Sequence, residues 1–133
     1  MFVYDLPTYK RCTLINITRS VRDAVQKSGI AEGLATVYCP HTTAGITINE
    51  NADPDVTADI LAALEKMVPD MDYAHIEGKS PAHIKTLMTG SSAAVPVSGG
   101  SLALGRWQCV YFCEYDGPRD RKFYVQVVGT AHE

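Results

Sequence analysis

The last third of the chain is a file of strand-like segments separated by turn residues, and this limits the possible folds more than any other feature. Segments near Ala93–Val97, Leu102–Leu104, Trp107–Tyr115 and Phe123–Val128 are apolar or alternating, with Gly99-Gly100 and Asp116-Gly117-Pro118 marking turns between them. Strands joined this tightly pair antiparallel, because a parallel pair needs a crossover of a dozen residues or more. No regular alternation of strand and helix runs through the sequence, which argues against a doubly wound sheet.

The upstream elements are fewer and more varied. Tyr9–Ile17 reads as a strand, followed by a short helix in which Ser20 and Asp23 fit a capping box and Val21, Ala24 and Val25 form the apolar stripe. Gly29 supplies its stop. Leu34–Cys39 is a second strand, broken by Pro40. Ala44–Asn49 alternates, with Ala44, Ile46 and Ile48 on one face and Gly45, Thr47 and Asn49 on the other. The clearest helix starts at Asp53 as cap with Pro54 at its first position, carries Val56, Ile60, Leu61, Leu64 and Met67 at helical spacing, and ends before Pro69. Asp70–Ser80 is polar and irregular, and a shorter helix runs from Pro81 or Ala82 to Met88, stopped by Gly90. The expectation is a single α+β domain over residues 1–133, with about seven strands in mostly antiparallel sheets rolled into a barrel-like sandwich, and two or three helices. A chain of 133 residues has no room for two independent cores.

Composition narrows the function classes. Twelve Lys and Arg against fifteen Asp and Glu give a formal charge of −3, and Arg119, Arg121 and Lys122 are the only notable basic cluster, which argues against nucleic acid as a partner. No segment approaches the roughly 20 apolar residues needed to cross a bilayer, so no membrane partner is expected. Met1–Lys10 contains Asp5 and Pro7 and lacks the pattern of a signal peptide. Cys12, Cys39, Cys109 and Cys113 show no CxxC spacing and fall mostly in apolar runs, as expected of packed free thiols in a cytoplasmic protein.

Candidate chemistry lies in three constellations. His41 follows Pro40 at a strand end, His75 lies in the polar loop, and His83 opens the short helix. Three imidazoles with an open fourth position suit zinc or a related transition metal. Taken singly, each histidine is as well explained by a hydrogen-bonded loop or core position. Glu50 and Asp53 stand where a strand turns into the long helix, although Asp53 is accounted for as a cap. Glu114 interrupts the apolar run 107–113, and a buried carboxylate requires a cation, a donor or a proton. Arg119 and Arg121, beside the Asp116-Gly117-Pro118 turn, could clamp a phosphate or pair with Glu114. Lys85 adds a possible phosphate contact, and Trp107 with Gln108 offers a ring and an amide at a strand entry.

Together these residues resemble the signature of the YjbQ-like family. The resemblance rests on His41-Thr42-Thr43-Ala44-Gly45-Ile46-Thr47-Ile48-Asn49-Glu50-Asn51 with Asp53-Pro54, then Ala82-His83-Ile84-Lys85, Gly105-x-Trp107-Gln108, and Glu114-x-Asp116-Gly117-Pro118-Arg119-x-Arg121. It departs at Gly78-Lys79-Ser80-Pro81, where a more acidic or amide-bearing segment is expected. The resemblance implies an α+β pseudo-barrel, a homotrimer, and a secondary thiamine-phosphate synthase activity joining a pyrimidine methyl pyrophosphate to a thiazole phosphate. It implies His41, His75 and His83 as metal or active-site histidines with Glu50, Asp53 and Glu114 as nearby acids.

The expected function is therefore a small metal-dependent enzyme acting on a phosphorylated molecule. Lys85, Trp107, Gln108, Arg119 and Arg121 are its candidate substrate-binding residues. Pyrophosphate departure favours Mg²⁺ and oxygen ligands, whereas three histidines favour Zn²⁺. The alternatives are a metal-dependent hydrolase and a non-catalytic binding or scaffold protein.

Overall fold

Alternating side chains and glycine turns produce eight strands and three helices among the described residues. These residues are 1–69, 71–75 and 78–132 of a computed structural model; Asp70, Ile76 and Glu77, in the stretch expected to be irregular, and Glu133 lie outside them. The elements are β1 (Phe2–Pro7), β2 (Thr13–Asn16), α1 (Thr18–Ser28), β3 (Ile30–Tyr38), β4 (Ala44–Glu50), α2 (Pro54–Met67), α3 (Ser80–Thr89), β5 (Ser92–Ser98), β6 (Ser101–Leu102), β7 (Gln108–Glu114) and β8 (Asp120–Ala131). All described strand pairs are antiparallel. The larger sheet, in the order β1-β8-β3-β5-β6, curls into a half-barrel, and β2-β7-β4 form the smaller sheet. The α+β expectation is met.

β1 is the strand that patterning did not find. Phe2, Tyr4 and Leu6 alternate inward against the core, and Tyr4 stacks on Phe123 at 5.2 Å. Asp5 and Pro7, which hide the pattern in sequence, fall on the outward positions. The expected strand Tyr9–Ile17 contracts to β2, since Lys10 to Cys12 form a bend. The expected Ser20–Asp23 capping box does not form. Asn16 Oδ1 instead accepts from the Thr18 amide at 3.0 Å and its hydroxyl at 2.7 Å, and α1 starts at Thr18 with Ile17 in the cap position, three residues earlier than a Ser20 cap would place it. Asp23 accepts from the Tyr4 hydroxyl at 3.0 Å and pairs with Lys27 at 3.1 Å. The segment expected at Leu102–Leu104 is the shorter β6, joined to β5 through Gly99 and Gly100 with φ of 57° and 77°. Two successive positive φ values are what a tight type I′ hairpin demands, and glycine meets them without strain.

The two sheets face one another across the main core. Ile46, Val110 and Phe112 of the smaller sheet meet Ala35, Val37, Phe123 and Val125 of the larger one, with Val21, Ala24 and Val25 of α1 joining them. The smaller sheet is also covered on its other side, where Cys109, Tyr111, Cys113 and Tyr115 pack with Ala82 and the half-buried Leu14 and Leu64. A strand covered on both faces is apolar continuously rather than alternately. That explains the unbroken run in β7. All four cysteines are free, and burial pushes the Cys113 thiol up to about 12, so it has no thiolate character near neutrality. No helix among the described residues is long and apolar enough to cross a membrane.

Candidate active site

Three chain connections meet beside the start of β8. Thr8, just after β1, donates its amide to the Arg119 carbonyl at 2.8 Å, and the Tyr115 amide donates to the Thr43 carbonyl at 3.2 Å. The Gly117 amide donates to the Arg11 carbonyl at 3.0 Å. A Cβ at Gly117 would lie 2.1 Å from the Lys10 carbonyl oxygen, so the turn needs a residue without a side chain.

Glu114 organises this junction. Its carboxylate is fully buried and receives Arg121 Nε at 2.8 Å, Arg121 Nη2, the Thr8 hydroxyl at 2.6 Å and the Asp116 amide at 3.0 Å. Burial is the largest influence on its proton affinity and raises it. The donors from Arg121, Thr8 and Asp116 together outweigh that, holding the carboxyl below its ordinary value. Arg121 Nη2 also reaches the Thr43 hydroxyl at 2.9 Å. No group among the described residues accepts from Arg121 Nη1, although the side chain is only 4% exposed.

A cavity of about 450 Å³ opens in front of Arg121. His41, Thr42 and Thr43 line it from the β3–β4 link, His75 and Lys79 from the loop before α3, and His83 from α3. Asp116, Arg119 and Arg121 complete the wall. Arg119 holds Asp116 Oδ2 through Nη2 at 2.8 Å, and Lys79 Nζ lies 3.8 Å from the same oxygen. The described lining brings the cations Lys79, Arg119 and Arg121 beside the carboxylates of Asp116 and Glu114.

The histidines differ in what they can offer. Lys122 donates its amide to His41 Nε2 at 2.9 Å. A backbone amide can only donate, so Nε2 keeps its lone pair for this bond and the neutral ring carries its proton on Nδ1. Burial, with Arg121's charge acting in the same direction, lowers the pKa of His41. His83 Nδ1 lies 3.0 Å from the Thr42 carbonyl, which can only accept, so Nδ1–H is the donor and the Nε2 lone pair is available. The His75 and His83 ring centroids are 5.5 Å apart.

A three-histidine metal centre requires three converging lone pairs. His41 has none to contribute, because the Lys122 amide occupies it. Among the described residues, no group of three or more His, Cys, Asp or Glu is placed to hold a metal ion. The three histidines expected to gather do share one cavity, and among the described residues they are not arranged as a three-ligand cluster.

Other candidates lie elsewhere. Lys85 is 3% exposed and pairs with Glu65 at 2.7 Å, linking α3 to α2 instead of reaching the cavity. Asp53 caps α2, accepting from the Asp55 amide at 2.9 Å. Glu50 offers its backbone carbonyl to the Tyr111 hydroxyl at 2.9 Å. Trp107 is exposed, with the Arg106 guanidinium 4.8 Å above its ring, and Gln108 Oε1 accepts from the Gly105 amide at 2.8 Å. None of these five lines the histidine cavity. Thr42, Thr43, Lys79 and Asp116 do line it, and none was a candidate from sequence. The Thr-Thr pair directly after His41 was the available signal for the first two.

The chain matches the family described as UPF0047 protein YjbQ-like over residues 3–130. It is 50% identical over 128 residues to the UPF0047 protein YugU of Bacillus subtilis, covering 94% of this chain and 96% of that one. It is 45% identical over 130 residues to the UPF0047 protein MJ1081 of Methanocaldococcus jannaschii, covering 97% and 94%. Among solved structures, an uncharacterised conserved protein of the YjbQ/UPF0047 family from Clostridium acetobutylicum superposes with a TM-score of 0.95 at 53% identity, covering 96% of this chain and all of that one. The conserved hypothetical protein TT1486 of Thermus thermophilus gives 0.88 at 38% identity, covering 96% and 100%.

Proposed function

This chain belongs to the YjbQ-like UPF0047 family, and from that premise we propose that its histidine-lined cavity is the active site of a small enzyme that takes a phosphorylated molecule. The observation that carries the reading is Arg121, a nearly buried guanidinium that lines the cavity with Nε and Nη2 committed to Glu114 and Thr43 and no acceptor for Nη1 among the described residues. A cation desolvated and left with donors to spare favours a dianionic oxygen cluster over water. Arg119 and Lys79 flank it as further cations, both beside Asp116.

Two of the histidines then divide the work. His41 donates from Nδ1 to a ligand oxygen, and His83 accepts or returns a proton at Nε2. A phosphate or pyrophosphate leaving group would be stabilised by Arg121 while His83 manages the proton of the attacking or departing group. Within this class, the resemblance implies coupling of a pyrimidine methyl pyrophosphate to a thiazole phosphate, and hydrolysis of a phosphate ester is the competing reaction. A homotrimer is proposed on the same resemblance. Leu34, Tyr38, Tyr124, Val128 and Val3, cross-strand neighbours on the outer face of the larger sheet, are apolar or aromatic surface available for it. Only a species of monomer mass in sedimentation at micromolar concentration would remove the trimer.

The deciding experiment is calorimetric titration of the full chain with inorganic phosphate and pyrophosphate, followed by assay of the two thiamine precursors with and without acceptor. Binding that is lost in Arg121→Ala supports the site, and turnover without acceptor identifies a hydrolase. Absence of any phosphate binding would leave the scaffold reading in its place. A second reading keeps a divalent metal at His75 and His83, favoured by the open Nε2 lone pair of His83. Zinc or magnesium that leaves those two ring signals unmoved in an NMR titration would end it.

A further inference from the structure

Two threonine hydroxyls, Thr8 and Thr18, are buried in the same bonding pattern. Thr18 Oγ1, at the start of α1, donates to Asn16 Oδ1 at 2.7 Å and accepts from the Val110 amide of β7 at 2.9 Å. Thr8 Oγ1, just after β1, donates to Glu114 Oε1 at 2.6 Å and accepts from the Arg119 amide at 3.0 Å. The Arg119 carbonyl is farther from it, at 3.2 Å, so the single hydroxyl proton goes to the charged oxygen. Thr8 and Thr18 are 3% and 8% exposed, and water is not at hand to replace either set of bonds. The difference lies in what each hydroxyl joins. Thr18 ties a helix start to a core strand, and neither of its partners lines the histidine cavity. Thr8 ties the backbone of one cavity-lining arginine to the carboxylate that grips the other, because Glu114 Oε1 also receives Arg121 Nε at 2.8 Å. The Thr8 amide holds the Arg119 carbonyl at 2.8 Å as well, so residue 119 is bound to Thr8 through both of its backbone polar groups.

We propose that Thr8 is a positioning residue for the cavity, setting where Arg119 stands relative to Arg121 although it lines no part of the cavity itself. This rests on the phosphorylated-ligand reading above and adds to it a residue from the opposite end of the chain. Arg121 lies inside β8, where strand pairing places its backbone opposite Leu6. Arg119 precedes the strand and has no such pairing, so the Thr8 bonds fix it instead. Without the hydroxyl, the Arg119 amide loses its acceptor and Glu114 loses one of its donors. An anion that meets both arginines must then order them as it binds, and that ordering lowers its affinity. The coupling is reciprocal: an anion favoured by the Thr8 bonds strengthens those bonds by the same factor.

Calorimetric titration of the full chain with inorganic phosphate tests this in three variants. Thr8→Val keeps the branched shape without the hydroxyl, and should weaken phosphate binding about fivefold or more, within the range of couplings inside one hydrogen-bond network. Thr8→Ser restores the hydroxyl and should bind as the unaltered chain does. Thr18→Val removes the matching hydroxyl from the core and should leave the affinity unchanged, which separates positioning from a general loss of stability. Amide hydrogen exchange in the unaltered protein needs no substitution. Saturating phosphate should slow exchange at the Arg119 amide more than at the Val110 amide, since each is bonded to a buried threonine hydroxyl but only the first adjoins the cavity. Undiminished affinity in Thr8→Val, an equal loss in Thr18→Val, or equal slowing at the two amides would overturn the role of Thr8 and leave the phosphate reading standing. If Thr8→Val does not fold, the exchange comparison decides alone. No phosphate binding by the unaltered chain would overturn both together.

Discussion

Arg121 grips Glu114 with two parallel hydrogen bonds, Nε to Oε1 and Nη2 to Oε2, where the two side chains are 4% and 0% exposed. A fork on a carboxylate fixes the guanidinium plane, and the plane decides where the remaining amino group points. Glu114 is thus the group that aims Arg121 at the cavity, and Thr8 and the Asp116 amide hold Glu114 in turn. The end of β1, the β7–β8 turn and the wall of the histidine cavity are one connected unit.

Replacing Glu114 with glutamine should therefore be costly. The amide keeps the shape but strands a buried cation, and breaking a buried pair from one side costs about 3–5 kcal/mol. Urea denaturation at neutral pH should show a loss of that size. A loss within experimental error would mean that water already reaches the pair.

Acid should act through the same carboxylate. Its folded pKa lies below the ordinary 4.5, because the donors from Arg121, Thr8 and Asp116 outweigh the opposing effect of burial. A depressed carboxyl contributes stability that is complete above the unfolded value and disappears as pH falls through the folded one. Unfolding free energy measured downward from about pH 6 should begin to drop near the ordinary value of 4.5 and continue below it. In Glu114→Gln this part of the acid sensitivity should be missing.

His41 gives a sharper spectroscopic test. Burial and the nearby Arg121 charge lower its pKa, and the Lys122 amide occupies Nε2. Nitrogen-15 NMR should find the Nδ1–H tautomer at neutral pH, titrating below the ordinary 6.5. An Nε2–H tautomer would mean that the Lys122 contact is absent, and would return His41 to the set of possible metal ligands.

How far the sequence exposes this site depends on the range of the interactions that build it. The antiparallel pairing, α2 with its Asp53 cap and the glycine hairpin at Gly99-Gly100 are local, and they are legible in spacing and turn chemistry. Glu114 was legible too, since a carboxylate inside an apolar run demands a partner. Which arginine answers it was not, because Arg119 and Arg121 have the same strand parity; Arg121 lies inside β8 and reaches Glu114, whereas Arg119 precedes the strand and pairs with Asp116. Lys85 misled for the opposite reason. Its place beside His83 in sequence suggested a shared task, yet two residues along a helix point to different sides, and Lys85 faces α2. β1 escaped because its polar residues all occupy the outer face.

Asp116 tempers the cationic wall of the proposed phosphate site, and removing charge from that wall has a predictable sign. It is held by Arg119 and approached by Lys79, lowering the field that both project into the cavity. Asp116→Asn should strengthen phosphate binding a few-fold, and Arg119→Ala should weaken it by a similar factor, as suits partly exposed pairs worth under about 1 kcal/mol. Both effects should shrink as salt is raised, since they are screened interactions. If the two substitutions shift the calorimetric affinity in the same direction, the anion does not sit against this wall.

Lys85 and Trp107 provide the complementary case, because both carried the marks of ligand contacts and neither lines the cavity. Lys85 is nearly buried, but its partner Glu65 is 57% exposed. Lys85→Met retains the packed stem and releases Glu65 to water, so stability should change by less than about 1 kcal/mol. Trp107→Ala removes an exposed ring with only Arg106 above it. Phosphate affinity in both variants should match that of the unaltered chain. If either loses affinity tenfold, the ligand extends beyond the histidine cavity, toward α2 in the case of Lys85 or toward the start of β7 in the case of Trp107. The site would then include residues that the folded subunit holds apart.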